Sequence, residues 1–374
     1  MLNKALSYSA ILLLTVNYLF YHTLPDYPYK DLLRIVSIVL LVIAIIVKGK
    51  IRLHLWGLFI LAYFVIGFIL GSEISMNLMV ITLILYALPN NKWRKNSYAF
   101  LAINIIVILI YFMLLSSGNI HNTVTQYGGR IRNTIGFDNV NAASLLFAPV
   151  FFIGLASLGG KWNILILPIV ISSFYLSSIT DSRTLFYSTL LCVFLKLIFQ
   201  SASIRNRYFK FSRTKLFEII IVLVFMSPIL LLVFGGVGGV LDKMLSFRIA
   251  AISNFIHQNS LLNILIGFSR TQPVDNSFIV LLYGLGLFIY ALLIMATIKY
   301  FKKEKDIDNH LLMASILSYA TMEAILIRPE CFLSILFWGN LFNEYVRTDK
   351  TRKIDTHCEN MQYMEDPFRV KHGI

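Results

Sequence analysis

Charge and cysteine are both scarce in this chain. Of its 374 residues 14% are charged and three are cysteines. A soluble domain carries about 25% charged residues, so a water-facing surface over the whole chain is excluded. Cys192, Cys331 and Cys358 lie too far apart for a disulfide framework or a zinc site. The seven histidines are equally dispersed, with no metal-ligand spacing. There is no Gly-rich phosphate loop with a lysine and no dinucleotide fingerprint, which argues against an ATP-driven pump. No internal repeat is evident, which disfavours a carrier built from two related halves.

Apolar residues fill the space that charge leaves. They make up 57% of the chain, and the mean hydropathy is +0.74. Runs of roughly 17–22 apolar residues recur along its length, enough to cross a hydrocarbon core of about 30 Å. Twelve spans are expected, near 5–24, 31–47, 53–71, 74–89, 97–116, 140–158, 162–179, 184–200, 216–235, 277–298, 310–327 and 330–345. The first begins without a small-residue cleavage site and reads as a span, not as a removed signal. The expected fold class is therefore all-α. It is a polytopic integral membrane protein, one transmembrane domain over 1–345 with a charged tail over 346–374.

Orientation follows from the basic clusters. Lys48, Lys50 and Arg52 form one, and Lys92, Arg94 and Lys95 a second. Arg205, Arg207, Lys210, Arg213 and Lys215 form another, as do Lys299, Lys302, Lys303 and Lys305. With twelve spans these clusters, the tail and both termini fall on one side, which the positive-inside rule makes the cytoplasm. The net charge of +14 then reflects topology beside anionic lipid, not affinity for nucleic acid.

Two long loops remain on the outer side, about 117–139 and about 236–276. Long loops in compact proteins are commonly functional. Over 241–257 apolar residues recur at three- and four-residue intervals, which predicts an amphipathic helix along the membrane surface. The run Gly235-Gly236-Val237-Gly238-Gly239 before it reads as a hinge.

Six arginines occupy the side where the charge rule makes them rare: Arg130, Arg132, Arg183, Arg248, Arg270 and Arg328. Forked guanidinium donors suit phosphate oxygens, and the amides of Asn139 and Asn141 suit sugar hydroxyls. The bland alternatives are snorkelling arginines in a solvated turn and, for Arg183, an interfacial anchor beside Asp181. Asp275 is either an N-cap, for which Asn276 and Ser277 serve equally, or a general base beside the arginines. Arg328, in a turn with Pro329 and Glu330, reads as an interfacial ion pair. Glu323, expected inside a span, is either a structural partner or a site residue.

Several segments follow one another in a familiar order. They are Gly136-Phe137-x-Asn139-x-Asn141 after the arginine pair, Asp181-Ser182-Arg183-Thr184, Arg248 with Leu265-Ile266-Gly267-Phe268, and Val274-Asp275-Asn276-Ser277-Phe278 with Gly284 and Gly286. Over residues 128–290 the chain resembles bacterial O-antigen polymerases of the Wzy type, a family that includes capsular and exopolysaccharide repeat-unit polymerases. The resemblance implies a glycosyltransferase at the outer face of the bacterial plasma membrane. It would join oligosaccharide repeat units carried on undecaprenyl pyrophosphate, with no metal or other cofactor. Arg248 and Asp275 are then the catalytic candidates: Arg248, with Arg183, on the leaving pyrophosphate, and Asp275 as base or orienter. Arg130 or Arg132 would hold the second substrate, and Arg270, Asn139, Asn141 and Asn276 complete the binding set. The lipid bilayer, chain-length regulators and flippases are the implied partners, and nucleic acid is not. The related O-antigen ligases carry His where Asp275 stands. This sequence has none between His257 and His310, which disfavours a ligase. A lipid-linked oligosaccharide flippase and a secondary transporter are the alternatives from other classes.

Overall fold

The computed structural model describes residues 2–24, 27–49, 55–88, 93–127, 130–158, 160–180, 182–271 and 274–346. Asp181 and the tail beyond 346 lie outside these residues. The N-terminal helices are α1 (Leu2–Thr23), α2 (Lys30–Lys48), α3 (Leu55–Ile69), α4 (Glu73–Ala87) and α5 (Trp93–Ser116). A hairpin of β1 (Val124–Tyr127) and β2 (Arg130–Asn133) follows, paired antiparallel with Thr125 opposite Arg132. Then come α6 (Val140–Ser157), α7 (Ile166–Thr180), α8 (Arg183–Phe199), α9 (Ala202–Phe211), α10 (Lys215–Phe225) and α11 (Ser227–Gly235). The chain continues through α12 (Val240–Met244), α13 (Arg248–Gln258), α14 (Leu261–Ile266), α15 (Ser277–Lys303), α16 (Ile307–Ala320) and α17 (Phe332–Val346).

Apolar side chains lie on both sides of this bundle. The core takes Phe152, Phe278, Phe332 and Phe337, all fully buried. The periphery shows Ile35, Val39, Ile43 and Ile46 of α2, and Ile171, Phe174 and Tyr175 of α7, all exposed. Polar Ser7, Asn104, Ser173 and Thr297 are buried instead. Asn104 Nδ2, for example, donates to the Leu146 carbonyl at 2.7 Å. An apolar exterior of this extent is unfavourable in water and is what a bilayer requires.

Among the described residues three helical stretches are long and apolar enough to cross a membrane: Asn96–Ser116, Asn163–Thr180 and Ser277–Lys303. Two bent pairs, α8 with α9 at 111° and α10 with α11 at 70°, raise the number to five if each is one span. The protein is thus helical, with three to five helical stretches among the described residues that are long and apolar enough to cross a membrane. The bend between α10 and α11 falls at Ser227-Pro228, where proline removes a helical N–H. The expected span 310–327 ends at Ala320, and Thr321–Cys331 is an irregular turn. The helix expected over 241–257 is two, because Ser246 and Phe247 adopt φ of 58° and 61° and stop α12 before α13.

The break within α15 organises the site from a distance. Gly286 has φ 74° and ψ 160°, and the chain after α14 packs into the gap. Phe268 N donates to the Gly284 carbonyl and Ser269 N to the Tyr283 carbonyl, both at 3.1 Å. A Cβ on Gly286 would stand 2.7 Å from the Leu265 oxygen, and one on Gly267 2.7 Å from the Gly284 oxygen. Tyr63 Oη reaches the Ile266 and Leu285 carbonyls at 2.7 and 2.8 Å. The approach needs glycine at both positions, which is the physical content of the Leu-Ile-Gly-Phe and Gly-x-Gly pair.

Candidate active site

The hairpin, the start of α8, the α12–α13 junction and the turn after α16 enclose one cavity of about 1320 Å³. Arg132, Arg183, Lys243 and Arg248 line it, with Asp138, Asp275, Asn139 and Asn141. Each arrives there for a local reason.

The hydroxyls of Thr123 and Thr134 meet at 2.8 Å at the base of the hairpin, and β2 brings Arg132 to the cavity. Ile135 and Gly136 then turn the chain with φ of 49° and 84°. Tyr111 Oη donates to the Ile135 carbonyl at 2.7 Å, and Phe137 packs on the Tyr111 ring. Asp138 is tied twice to the end of α1. Its N–H donates to the His22 carbonyl at 2.7 Å, and its carboxylate lies 2.7 Å from His22 Nδ1. Asn139 caps α6 through the Asn141 N–H at 2.9 Å. That cap leaves the Asn141 amide free to donate to Asp275 Oδ2 at 2.7 Å.

Arg183 opens α8 and is exposed to the cavity. Arg248 opens α13, and its helix start is held by Asp242. This carboxylate is wholly buried. Oδ1 accepts from the N–H groups of Ile249 at 2.8 Å and Ala250 at 3.3 Å, and Oδ2 from Gly238 at 2.9 Å. First-turn N–H groups lack helical partners, and a buried anion at a helix N-terminus satisfies them and suits the dipole. The glycine run expected to hinge freely is pinned at Gly238.

Arg248 is itself engaged. It donates to Glu323 Oε1 at 2.7 Å and to the Met322 carbonyl. Glu323 is 1% exposed and lies in the turn after α16, not in a span. Burial pushes its carboxyl up, to about 7, while Arg248 pulls it down. Asp275 lies within electrostatic reach of Arg248, Glu323 and Arg328.

Three sequence expectations need correction. Asn276 is the N-cap of α15, accepting from Phe278 and Ile279 N–H at 3.0 and 3.1 Å, and it donates to the Thr321 carbonyl. Its amide is thus consumed by structure, buried and off the cavity wall. Arg270 is exposed and stands outside the cavity. Arg328 makes no ion pair with Glu330, for no carboxylate within ion-pair distance holds it among the described residues. The Arg130 side chain lies outside what is described. From the sequence, Asp242 is placed only as a polar position of the expected surface helix, and Lys243 is given no role. For Lys243 the signal was there, a cation on the outer side where the charge rule makes cations rare.

What the arrangement can do is bind an anion and present a hydroxyl to a carboxylate. Four cations around one cavity neutralise phosphate oxygens, and Asp275 is oriented by an amide donor. Among the described residues no three His, Cys, Asp or Glu gather as a metal ion would need. Comparison with family models, with curated proteins and with solved structures finds no match.

Proposed function

We propose that this protein is a membrane glycosyltransferase that joins lipid-linked oligosaccharide repeat units, a polymerase of the kind its sequence resembles. One observation carries the reading: Arg132, Arg183, Lys243 and Arg248 share a single cavity with Asp275. In this reading the chain crosses the bacterial plasma membrane twelve times, with both termini in the cytoplasm and the cavity facing outward.

The reaction follows from the chemistry. An acceptor sugar hydroxyl attacks the anomeric carbon of the donor glycan. The new C–O bond forms as the bond from that carbon to the diphosphate oxygen breaks. The polyprenyl diphosphate departs with the electron pair, and preorganised guanidinium groups stabilise its developing charge. Asp275, held by Asn141, takes the hydroxyl proton. Glu323 fixes Arg248, so the cation is in place before the charge develops.

The test is reconstitution. Purified protein with a lipid-linked repeat unit yields a ladder of polymer lengths, and Asp275→Asn abolishes it. Transport of the intact unit across vesicles without any ladder supports a flippase and sinks the polymerase.

A further inference from the structure

Arg328 is the outer arginine whose charge the site leaves unanswered. It projects from a well-braced turn. Ser277 Oγ donates to the Glu323 carbonyl at 2.7 Å and accepts from Leu326 N–H at 3.1 Å. The Leu326 carbonyl takes Ser334 Oγ and Trp338 Nε1 at 2.9 and 2.7 Å. Arg328 N–H donates to the Ile325 carbonyl at 3.1 Å. From this support the side chain extends half-buried, and its Nε is buried with no hydrogen-bond partner.

Among the described residues no neighbour forms a hydrogen bond or ion pair with its guanidinium. Tyr18 Oη donates to the Ala142 carbonyl at 3.1 Å. Asp275 Oδ2 accepts from Asn141, and the Cys331 thiol is buried. Glu323 holds Arg248. Glu330 and Asp275 are within electrostatic reach of Arg328 but not in contact with it. A half-buried cation without a contacting anion leaves part of its desolvation cost unanswered, and guanidinium is the group whose fork best fits a phosphate.

We propose that Arg328 anchors a second anion subsite, beside the cavity and sharing Asp275 with it, which takes a phosphate group of a lipid-linked diphosphate. The assignment rests on the polymerase reading, in which donor and acceptor each bring a diphosphate. Arg132, which the resemblance gives to the second substrate, lines the same cavity as Arg183 and Arg248 and serves the same diphosphate as they do. Asp275 then lies between two headgroups, where the acceptor hydroxyl meets the donor sugar.

The full-length protein in detergent is titrated with farnesyl diphosphate and counted by native mass spectrometry. Two bound probes on the wild type, one on Arg328→Gln and two on Arg328→Lys are expected. The weaker constant rises about tenfold or more in Arg328→Gln, as loss of a charge-assisted hydrogen bond implies. One probe on the wild type, or an unchanged count in Arg328→Gln, overturns the subsite. Inorganic diphosphate runs in parallel. Equal retention supports a subsite that reads the headgroup alone, and retention of the farnesyl probe only supports one that also needs the lipid. If Arg328→Gln misfolds, phenylglyoxal labelling of the wild type decides. Protection of Arg328 by the probe supports the subsite, and labelling at an unchanged rate overturns it. A second bound probe without any polymer from repeat units sinks the polymerase reading and leaves the subsite. Polymer from Arg328→Gln with both KM values unchanged sinks the subsite and leaves the reading.

Discussion

Replacing Gly286 by alanine tests whether the α15 break is held open by the segment lodged in it. Gly286 sits at φ 74° and ψ 160°, backbone that is essentially glycine-only and costs another residue about 1–3 kcal/mol. The added Cβ meets the Leu265 oxygen and Ile266 carbon at 2.7 Å. These are backbone atoms that no rotamer change can move, so overpacking adds about 1–3 kcal/mol. Together the substitution destabilises by about 2–6 kcal/mol. Gly118 separates the two effects. It has φ 76° but nothing within 4 Å of a Cβ, so Gly118→Ala costs about 1–2 kcal/mol from the backbone alone. Denaturant unfolding in detergent, followed by tryptophan fluorescence, reads the difference. Gly286→Ala should also displace Phe268 and Ser269, whose N–H groups bond the Gly284 and Tyr283 carbonyls, and slow turnover. If Gly286→Ala is no less stable than Gly118→Ala, the lodged segment is not what holds the break.

Three further outcomes are expected. Asp242→Ala leaves buried N–H groups of Gly238, Ile249 and Ala250 unsatisfied, at about 1–3 kcal/mol each. Unfolding measurements should register that loss, and kcat/KM should fall with it as Arg248 loses its footing. Glu323 binds its proton more readily folded, at about 7, than unfolded, at 4.5. Its contribution to stability is therefore full below 4.5 and lost as pH rises from there through about 7. Unfolding midpoints taken across that window should fall with pH in the wild type relative to Glu323→Gln, and parallel slopes would contradict the assignment. Asn141→Ala removes the donor to Asp275 Oδ2, a net loss of about 1.5–3 kcal/mol for a bond to a charged group. Turnover should fall at saturating substrate with KM little changed, and a rise in KM at unchanged kcat would contradict the orienting role.

Hydropathy makes the helices legible because a bilayer-facing helix must be apolar along a full crossing. It is blind to where a helix stops for tertiary reasons. Nothing in the composition of 310–327 marks the end of α16 at Ala320, since the turn beyond it is buried too and reads just as apolar. The hairpin was visible in principle: Val124-Thr125-Gln126-Tyr127 and Arg130-Ile131-Arg132-Asn133 flank two glycines, a known hairpin signal. Cation placement is legible through the charge rule, which singles out Arg132, Arg183 and Arg248. Their partners were not, because Asp242 and Glu323 bond across 7 and 75 residues of sequence. Arg328 fails in the opposite direction. Proximity to Glu330 in sequence suggests a pair, yet side chains two apart in the chain need not face each other.

The three hydrogen bonds accepted by Asp242 have a mechanical meaning. One rigid carboxylate fastens the glycine run before α12 to the first turn of α13, and Arg248 stands at that turn. The exposed Val240 and Met244 of α12 form part of the cavity wall. Any swing of α12 that widens the mouth therefore carries the Arg248 backbone with it and pulls on its tether to Glu323. In the proposed reaction, admission of a bulky headgroup and placement of the stabilising cation are then one degree of freedom, a lever whose closing stroke is also the arming stroke.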